Sequence, residues 1–107
     1  MSLYRFKSRE TGDLVMLKPH GQRILEILGK DLTTGVIQPN EMAAAAEKLR
    51  IAAEEEIAEQ ARLKDEALSK GEVAPEFDPV SLKLRLVPFL EMLQRCEQAD
   101  VNVVWGV

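Results

Sequence analysis

The sequence predicts an α+β fold: a small antiparallel-containing sheet, made of an N-terminal β-hairpin and a C-terminal strand, covered on one face by three to four helices, one of them long. Three observations lead to this prediction. The first residues alternate between apolar and polar side chains, residues 39–70 are rich in strong helix formers, and the chain ends in a short apolar run. With 107 residues, 46% of them hydrophobic, the chain is sized for a single domain over residues 1–107.

The opening of the chain predicts the hairpin, over about residues 3–17. Residues 3–8 alternate with a period of two, which is typical of a half-buried strand with a basic outer face. Residues 11–13 (Thr-Gly-Asp) supply turn chemistry, and Leu14–Leu17 follows as an apolar run. Because both faces of this run are apolar, we expect it to be the more buried strand of the two.

A short helix and a linker are predicted between the hairpin and the long helix. Pro19 suits the first turn of a helix, because its missing N–H costs no hydrogen bond there. Gly29 suits the left-handed position that ends a helix. Residues 30–38 are predicted to be a linker, with Val36 and Ile37 as anchors on the core.

The longest predicted element is a helix over about residues 39–70. At 1.5 Å per residue it would span roughly 45 Å, whereas a domain of this size is about 35 Å across, so the helix must overhang the core or break. Its first half has a tight apolar stripe and is expected to pack on the sheet. Its second half is interrupted by polar residues, which leaves Ile57, Leu63 and Leu68 thinly anchored.

Residues 71–78 are predicted to form a mobile loop, and the segment after it is ambiguous. Asp78 and Pro79 have the composition of a helix N-cap and first turn. Residues 82–86 alternate like a strand, however, and Pro88 would remove a hydrogen bond inside a helix. The alternatives are a kinked helix, two helices that meet at Pro88, or a strand followed by a helix; the cap favours a helix from Pro79, bent at Pro88. That helix is expected to end near residues 99–100, and the final strand to cover about 102–106, with Trp105 packed against the helices.

The net charge of −4 is unevenly distributed along the chain. Residues 1–30 carry six basic and three acidic groups, a net +3, and residues 31–107 carry eight basic and fifteen acidic groups, a net −7. The acidic majority disfavours a nucleic-acid partner, because Lys and Arg supply most of that affinity. No stretch approaches the roughly 20 apolar residues of a membrane helix, so no membrane partner is expected. The single Cys96 excludes an internal disulfide and indicates a reducing, cytoplasmic location.

The start of the first helix is the candidate ligand site. Lys18, His20, Gly21 and Arg23 lie together there, and helix N-termini bind anions through free N–H groups. One alternative is that His20 is a surface or capping residue. Another is that the basic N-terminal segment, residues 1–30, complements the acidic helices of the same chain. No catalytic residue is predicted, since the sequence shows no Cys or Ser partner for His20. No metal or cofactor site is predicted either, because the consecutive carboxylates Glu54 to Glu56 point in different directions around a helix with no His nearby, and the glycines match no phosphate-loop or dinucleotide spacing.

Several short motifs resemble those of a known family. They are the opening YRFKS, the run TGDLVML, Gly29-Lys30 after the first helix, VPFLEML, and the ending VVWGV. Together they are similar to a family of short bacterial proteins described only as a domain of unknown function. The similarity covers nearly the whole chain and is poorest across residues 40–78. It implies a bacterial, cytoplasmic source, and it implies no activity and no functional residue.

Two function hypotheses follow from these observations. The first is a non-enzymatic protein-interaction or self-associating module that binds a second copy or another protein through the distal half of the long helix (Ile57, Leu63 and Leu68) or through a sheet edge. The second is a small anionic-ligand binding protein that uses the helix entry around Lys18 to Arg23. An enzyme ranks below both.

Overall fold

The structure, a computed structural model, describes residues 2–107 and contains four strands and three helices in mixed order. The α+β prediction is therefore confirmed, with one long helix as expected. In chain order the elements are β1 (Leu3–Lys7), β2 (Leu14–Leu17), α1 (Lys18–Leu28), β3 (Gly35–Ile37), α2 (Pro39–Ser69), α3 (Leu82–Ala99) and β4 (Val103–Trp105).

The strands form one antiparallel sheet in the order β2-β1-β4-β3. The C-terminal strand β4 lies in its interior, where Trp105 is opposite Phe6 on one side and Gly35 on the other. The predicted union of the hairpin with the C-terminal strand is thus confirmed. The prediction that residues 30–38 are only a linker is wrong, because β3 lies there. Three residues that begin with a glycine have little strand preference of their own, and it is β4 that supplies their hydrogen-bond partner.

The hydrophobic core is centred on three aromatic rings. Phe6, Phe89 and Trp105 are fully buried, and the Phe6 ring lies 5.0 Å from that of Phe89 and 5.9 Å from that of Trp105. Such edge and tilted contacts are the favoured arrangement of aromatic pairs. The expectation that Trp105 packs into the body of the protein is confirmed.

The strand β2 is more exposed than the sequence predicted. Val15 and Leu17 are each 41% exposed, so the expectation that this is the more buried strand is wrong. The reason is its place in the sheet. The strand lies at an edge, and Val15 is opposite Arg5, on the face that Phe6 does not share.

The loop before β3, residues 29–34, holds the C-terminal residues 105–106 in place. The Trp105 Nε1–H donates a hydrogen bond to the Asp31 carbonyl at 2.9 Å, and the Thr34 hydroxyl donates to the Trp105 carbonyl at 3.2 Å. Gly106 follows with a φ of 73°, in the left-handed region, and a Cβ there would collide with the Thr33 carbonyl. The C-terminal apolar run is therefore held by the two hydrogen bonds of Trp105 and by the close packing of Gly106 against Thr33.

The helix α2 is continuous over 31 residues and extends beyond the core. It begins with a capping box, in which the Glu41 carboxylate accepts a hydrogen bond from the Gln38 N–H at 2.7 Å. Its length of about 46 Å follows from the rise of 1.5 Å per residue. The molecule is 53 Å in its longest dimension, and its radius of gyration is 16.0 Å. A compact domain of this length would have a radius of about 13 Å, so the predicted overhang is present.

The first half of α2 packs on helices rather than mainly on the sheet, which corrects the expectation from its apolar stripe. Its principal neighbour is α3, followed by α1. An apolar stripe shows that a helix has a buried face but carries no information about which element covers it. The buried residues of α2 are Met42, Ala45, Ala46, Leu49 and Ala53, and then only Ala67 near its far end.

The helix α3 begins three residues later than the sequence predicted. Its N-cap is Ser81, whose hydroxyl accepts a hydrogen bond from the Leu84 N–H at 3.3 Å, whereas Asp78 accepts from the Val80 N–H in the preceding turn. The helix runs through Pro88 as one element, so neither a strand nor a second helix is present there. The carbonyl left without its partner belongs to Leu84, whose side chain is 60% exposed, so water can solvate it. The helix ends at Ala99, as predicted.

Candidate functional site

The start of α1, the predicted anion site, offers few free amide groups. The Lys18 N–H donates a hydrogen bond to the Ser2 carbonyl at 3.0 Å, and Pro19 has no N–H. Two of the first three helical positions are therefore unable to bind an anion through the backbone. The Lys18 side chain itself is exposed.

Gly21 has a packing role that the sequence did not indicate. It is buried, and a Cβ at this position would lie 2.5–2.7 Å from atoms of the Tyr4 side chain. The absence of a side chain allows α1 to lie directly on β1, since Tyr4 is anchored there by a hydrogen bond from its hydroxyl to the Leu32 carbonyl. Packing against Tyr4 therefore explains why residue 21 is a glycine, and no ligand is needed to explain it.

The structure brings His20 and Arg23 together at the rim of a small cavity. The cavity has a volume of about 170 Å³ and lies between β2, α1 and α3. Arg85 of α3 joins them at the rim, and no pattern in the sequence connects it with residues so far away along the chain. Lys18 and Gly21 do not line the cavity. The other lining residues are mostly apolar: Leu14, Val15, Met16, Ile24, Leu82, Leu86 and Pro88.

The two arginines at this rim are already paired with carboxylates. Arg23 donates to Glu56 at 2.7 Å, and the same carboxylate accepts the Leu82 N–H at 3.0 Å. Arg85 donates to Asp78 at 3.0 Å. Hydrogen bonds from the Val80 N–H and then from Arg85 hold the pKa of Asp78 below its usual range. The Glu56 carboxylate joins α1 and the start of α3 to α2, and a ligand must compete with Glu56 and Asp78 for the two guanidinium groups.

A second surface of interest lies on the part of α2 that overhangs the core. Of the residues predicted to mediate contacts there, Ile57 is 47% exposed, Leu68 is 71% exposed, and Leu63 is half-buried. At 100° per residue, Ile57 and Leu68 differ by about 20° around the helix, while Leu63 is about 120° away. Leu63 therefore belongs to another side. We define the distal flank as Ile57, Ala61 and Leu68, which share one side of α2.

Surface ion pairs support the overhanging part of α2. The Arg62 guanidinium donates to Glu59 at 2.7 Å and to Glu66 at 2.9 Å, and Lys70 donates to Glu66 at 2.9 Å. Hydrogen bonds from Lys70 and then Arg62 hold the pKa of Glu66 below its usual range, and Arg62 does the same for Glu59. Charged pairs three and four positions apart stabilise helices that lack tertiary contacts.

The segment between α2 and α3 runs back past this part of the helix. The Lys64 ammonium lies 5.7 Å from the centre of the Phe77 ring, a cation–π contact, and Phe77 is half-buried. This contact attaches the segment to the distal half of α2. Whether residues 71–78 are mobile stays a prediction.

The cysteine and the potential metal-ligating side chains do not come together in the part of the chain that the structure describes. Cys96 is buried in the core. Within residues 2–107, no group of three or more His, Cys, Asp or Glu side chains is arranged to hold a metal ion. Over the same residues, no helix combines the length and the apolar character needed to cross a membrane.

Comparison with known proteins identifies a family and no function. A search of curated proteins and a search of solved structures each returned no match. A family model does match, and it covers residues 2–105, nearly the whole chain. The resemblance noted from the short motifs is confirmed: the chain belongs to the family described as Domain of unknown function (DUF1840).

Proposed function

We propose that this protein is a non-enzymatic interaction module and that the distal flank of α2 is its docking surface. The observation that carries the proposal is the exposure of Ile57 and Leu68 on a stretch of helix that the core of the same chain does not cover. Burying such side chains is favourable by roughly 1.5–3 kcal/mol each when the burial is complete. A partner helix laid along this side, from a second copy or from another protein, would supply that burial.

The charges around the distal flank suit a helix as partner. At 100° per residue, Lys64 lies about 20° and Asp65 about 80° around the helix from Ile57, so exposed charges of both signs border the distal flank. Alternating charges that border an apolar stripe are the pattern by which paired helices select their partners and orientation. The stripe is short, so we expect weak association.

The proposal is tested by sedimentation of the protein over a wide concentration range. Leu68→Glu and Ile57→Glu place charges within the distal flank and should each weaken self-association at least tenfold. The matched control is Ile51→Glu, since Ile51 lies on the same helix, is 49% exposed, and faces about 120° away from Ile57. A parent chain that stays monomeric at all concentrations, and that captures no partner sensitive to Leu68→Glu, would contradict the proposal.

We infer that the protein is located in a bacterial cytoplasm, from the family resemblance and from the single free cysteine.

We also infer that the three helices cover the face of the sheet that carries Phe6 and Trp105. Full burial of those two residues, against the exposure of Val15 on the opposite face, supports this arrangement.

A second candidate function is the binding of a small anionic ligand. The observation in its favour is the meeting of His20, Arg23 and Arg85 at the rim of an apolar cavity. A cavity of about 170 Å³ is close to the roughly 150 Å³ that accommodates benzene in an engineered apolar site. The ligand that fits is a small aromatic or aliphatic carboxylate, with its apolar part in the cavity and its charge at the rim.

Thermal unfolding with a panel of small carboxylates, phosphate and nucleotides tests this candidate. Binding to the folded state raises the unfolding temperature as ligand is added. An increase that disappears in Arg85→Gln and persists in Lys18→Gln, a cation outside the cavity, would support the site. The same temperature at every ligand concentration would remove it.

A further inference from the structure

We propose that Asp78 is a built-in occupant of the anion position at the rim of the cavity between β2, α1 and α3, and that a small carboxylate with an apolar body displaces it. The displacement releases the strap, which we define as residues 71–80, the segment between α2 and the Ser81 N-cap of α3. This role of Asp78 rests on the second candidate function, the binding of such a carboxylate, and adds a mode of regulation to it.

Asp78 holds the position that the charge of a ligand would take. Arg85 donates to the Asp78 carboxylate at 3.0 Å, and Arg85 also lines the cavity together with His20. Hydrogen bonds from the Val80 N–H and then from Arg85 lower the pKa of Asp78. The charge of His20 lowers it further, so the carboxylate lies within the electrostatic reach of both rim groups. A ligand carboxylate at the rim would meet the same two groups.

Of the two ion pairs at the rim, the one between Asp78 and Arg85 is the easier to open. The Asp78 side chain is 57% exposed. The Glu56 side chain, which pairs with Arg23, is only 15% exposed and also accepts the Leu82 N–H. An exposed ion pair shifts an equilibrium by no more than about fivefold. Asp78 is therefore a weak competitor that a ligand can replace.

The apolar body of the ligand decides which anions succeed. Asp78 does not line the cavity, whose walls are mostly apolar side chains such as Met16, Ile24 and Leu86. A ring placed there leaves water, and this burial favours the ligand in a way that the Asp78 side chain cannot match. Benzoate has both the ring and the charge. Acetate has the charge alone and gains no advantage over Asp78.

The strap is attached to α2 by a contact next to Asp78 in the chain. Phe77 is half-buried, and its ring centre lies 5.7 Å from the Lys64 ammonium. At the other end of the strap, the Glu72 N–H donates to the Ala67 carbonyl at 2.8 Å. A segment with few buried contacts opens locally at small cost. Loss of the ion pair to Arg85 therefore also loosens Phe77.

Release of the strap would change the surface beside the distal flank. Lys64 lies about 20° around α2 from Ile57, so the Phe77 ring borders this surface. Occupation of the cavity is thereby coupled to the part of α2 that we propose as the docking surface.

Calorimetric titration with benzoate tests the competition. Asp78→Asn keeps an acceptor for the Val80 N–H and removes the competing charge, so it should bind benzoate about two- to fivefold more tightly than the parent. The matched control is Glu76→Gln. Glu76 is exposed in the same strap and is not the partner of Arg85, so this variant should leave the affinity unchanged.

Amide NMR of the labelled protein tests the release. Benzoate should shift the signals of residues 71–80, whereas benzamide, which has the ring without the charge, should not. Asp78→Asn should shift the same signals in the same direction without any ligand. Equal benzoate affinity in the parent and Asp78→Asn, or strap signals that do not move, would overturn the inference and leave the ligand site standing. Failure of benzoate to bind either protein would remove both.

Discussion

Replacing Trp105 by Ala should strongly destabilise the protein. The indole is fully buried between Phe6 and Gly35, and its N–H donates to the Asp31 carbonyl. Truncating a buried tryptophan to alanine costs about 3–5 kcal/mol because of lost burial and the cavity left behind. Loss of the hydrogen bond adds about 1 kcal/mol. For a chain of this size, even 3 kcal/mol lowers the unfolding temperature by at least about 12 °C.

Urea unfolding followed by far-UV circular dichroism measures this effect. Fluorescence is unsuitable, since Trp105 is the only tryptophan. Trp105→Phe keeps an aromatic ring but not the N–H donor, and it should fall between the parent and the alanine variant. The matched control is Val107→Ala, two residues away and 72% exposed, which should change the stability by no more than about 0.5 kcal/mol.

The result that would refute the reasoning is an alanine variant as stable as the parent. The terminal residues would then be a tail that does not contribute to the core. An equal loss of stability in Val107→Ala would also contradict it, because the effect would then come from the terminus in general rather than from the indole.

Two further predictions concern local contacts. Gly21→Ala should destabilise the protein by about 1–3 kcal/mol in urea unfolding, because the new Cβ meets the Tyr4 side chain; an unchanged midpoint would show that α1 can shift away. Glu41→Ala should lose a stabilisation that depends on pH, since the Gln38 N–H and then Lys30 hold the pKa of Glu41 below its usual range. A pKa lowered in the folded state gives stability that is present above the unfolded pKa and is lost as the pH falls through the folded pKa, so the difference between parent and variant should be largest at pH 7 and shrink in acid. A difference in stability that is the same at pH 3 as at pH 7 would contradict the carboxylate's role.

The helices were more predictable than the sheet, because their ends are marked by nearby residues. Pro19 and Gly29 bracket α1, and Gly29 has the left-handed φ of 69° that its identity suggested. The start of α2 follows from the Pro39 segment. The start of α3 was misplaced, because Asp78 and Ser81 are both able to cap a helix. The helix begins after Ser81 because this start buries the Leu82 side chain and allows the Leu82 N–H to donate to Glu56.

The candidate sites were only partly predictable, for a related reason. His20 and Arg23 are neighbours on one helix, and the sequence placed them together. Arg85 reaches the same cavity only because α3 packs beside α1, and Gly21 is committed to Tyr4 only because α1 lies on β1. Contacts between distant residues have no local pattern from which to read them.

The sequence by itself determined the elements that depend on local chemistry: two N-terminal strands joined by a turn, a capped first helix, a helix too long for its core, and an apolar C-terminal strand. Only the tertiary structure decided the strand order and which faces are covered. The apolar pattern of Leu14–Leu17 is the same in a central strand and in an edge strand. β4 takes the central position because Trp105 fits between Phe6 and Gly35, and this leaves Val15 and Leu17 at the open edge of the sheet.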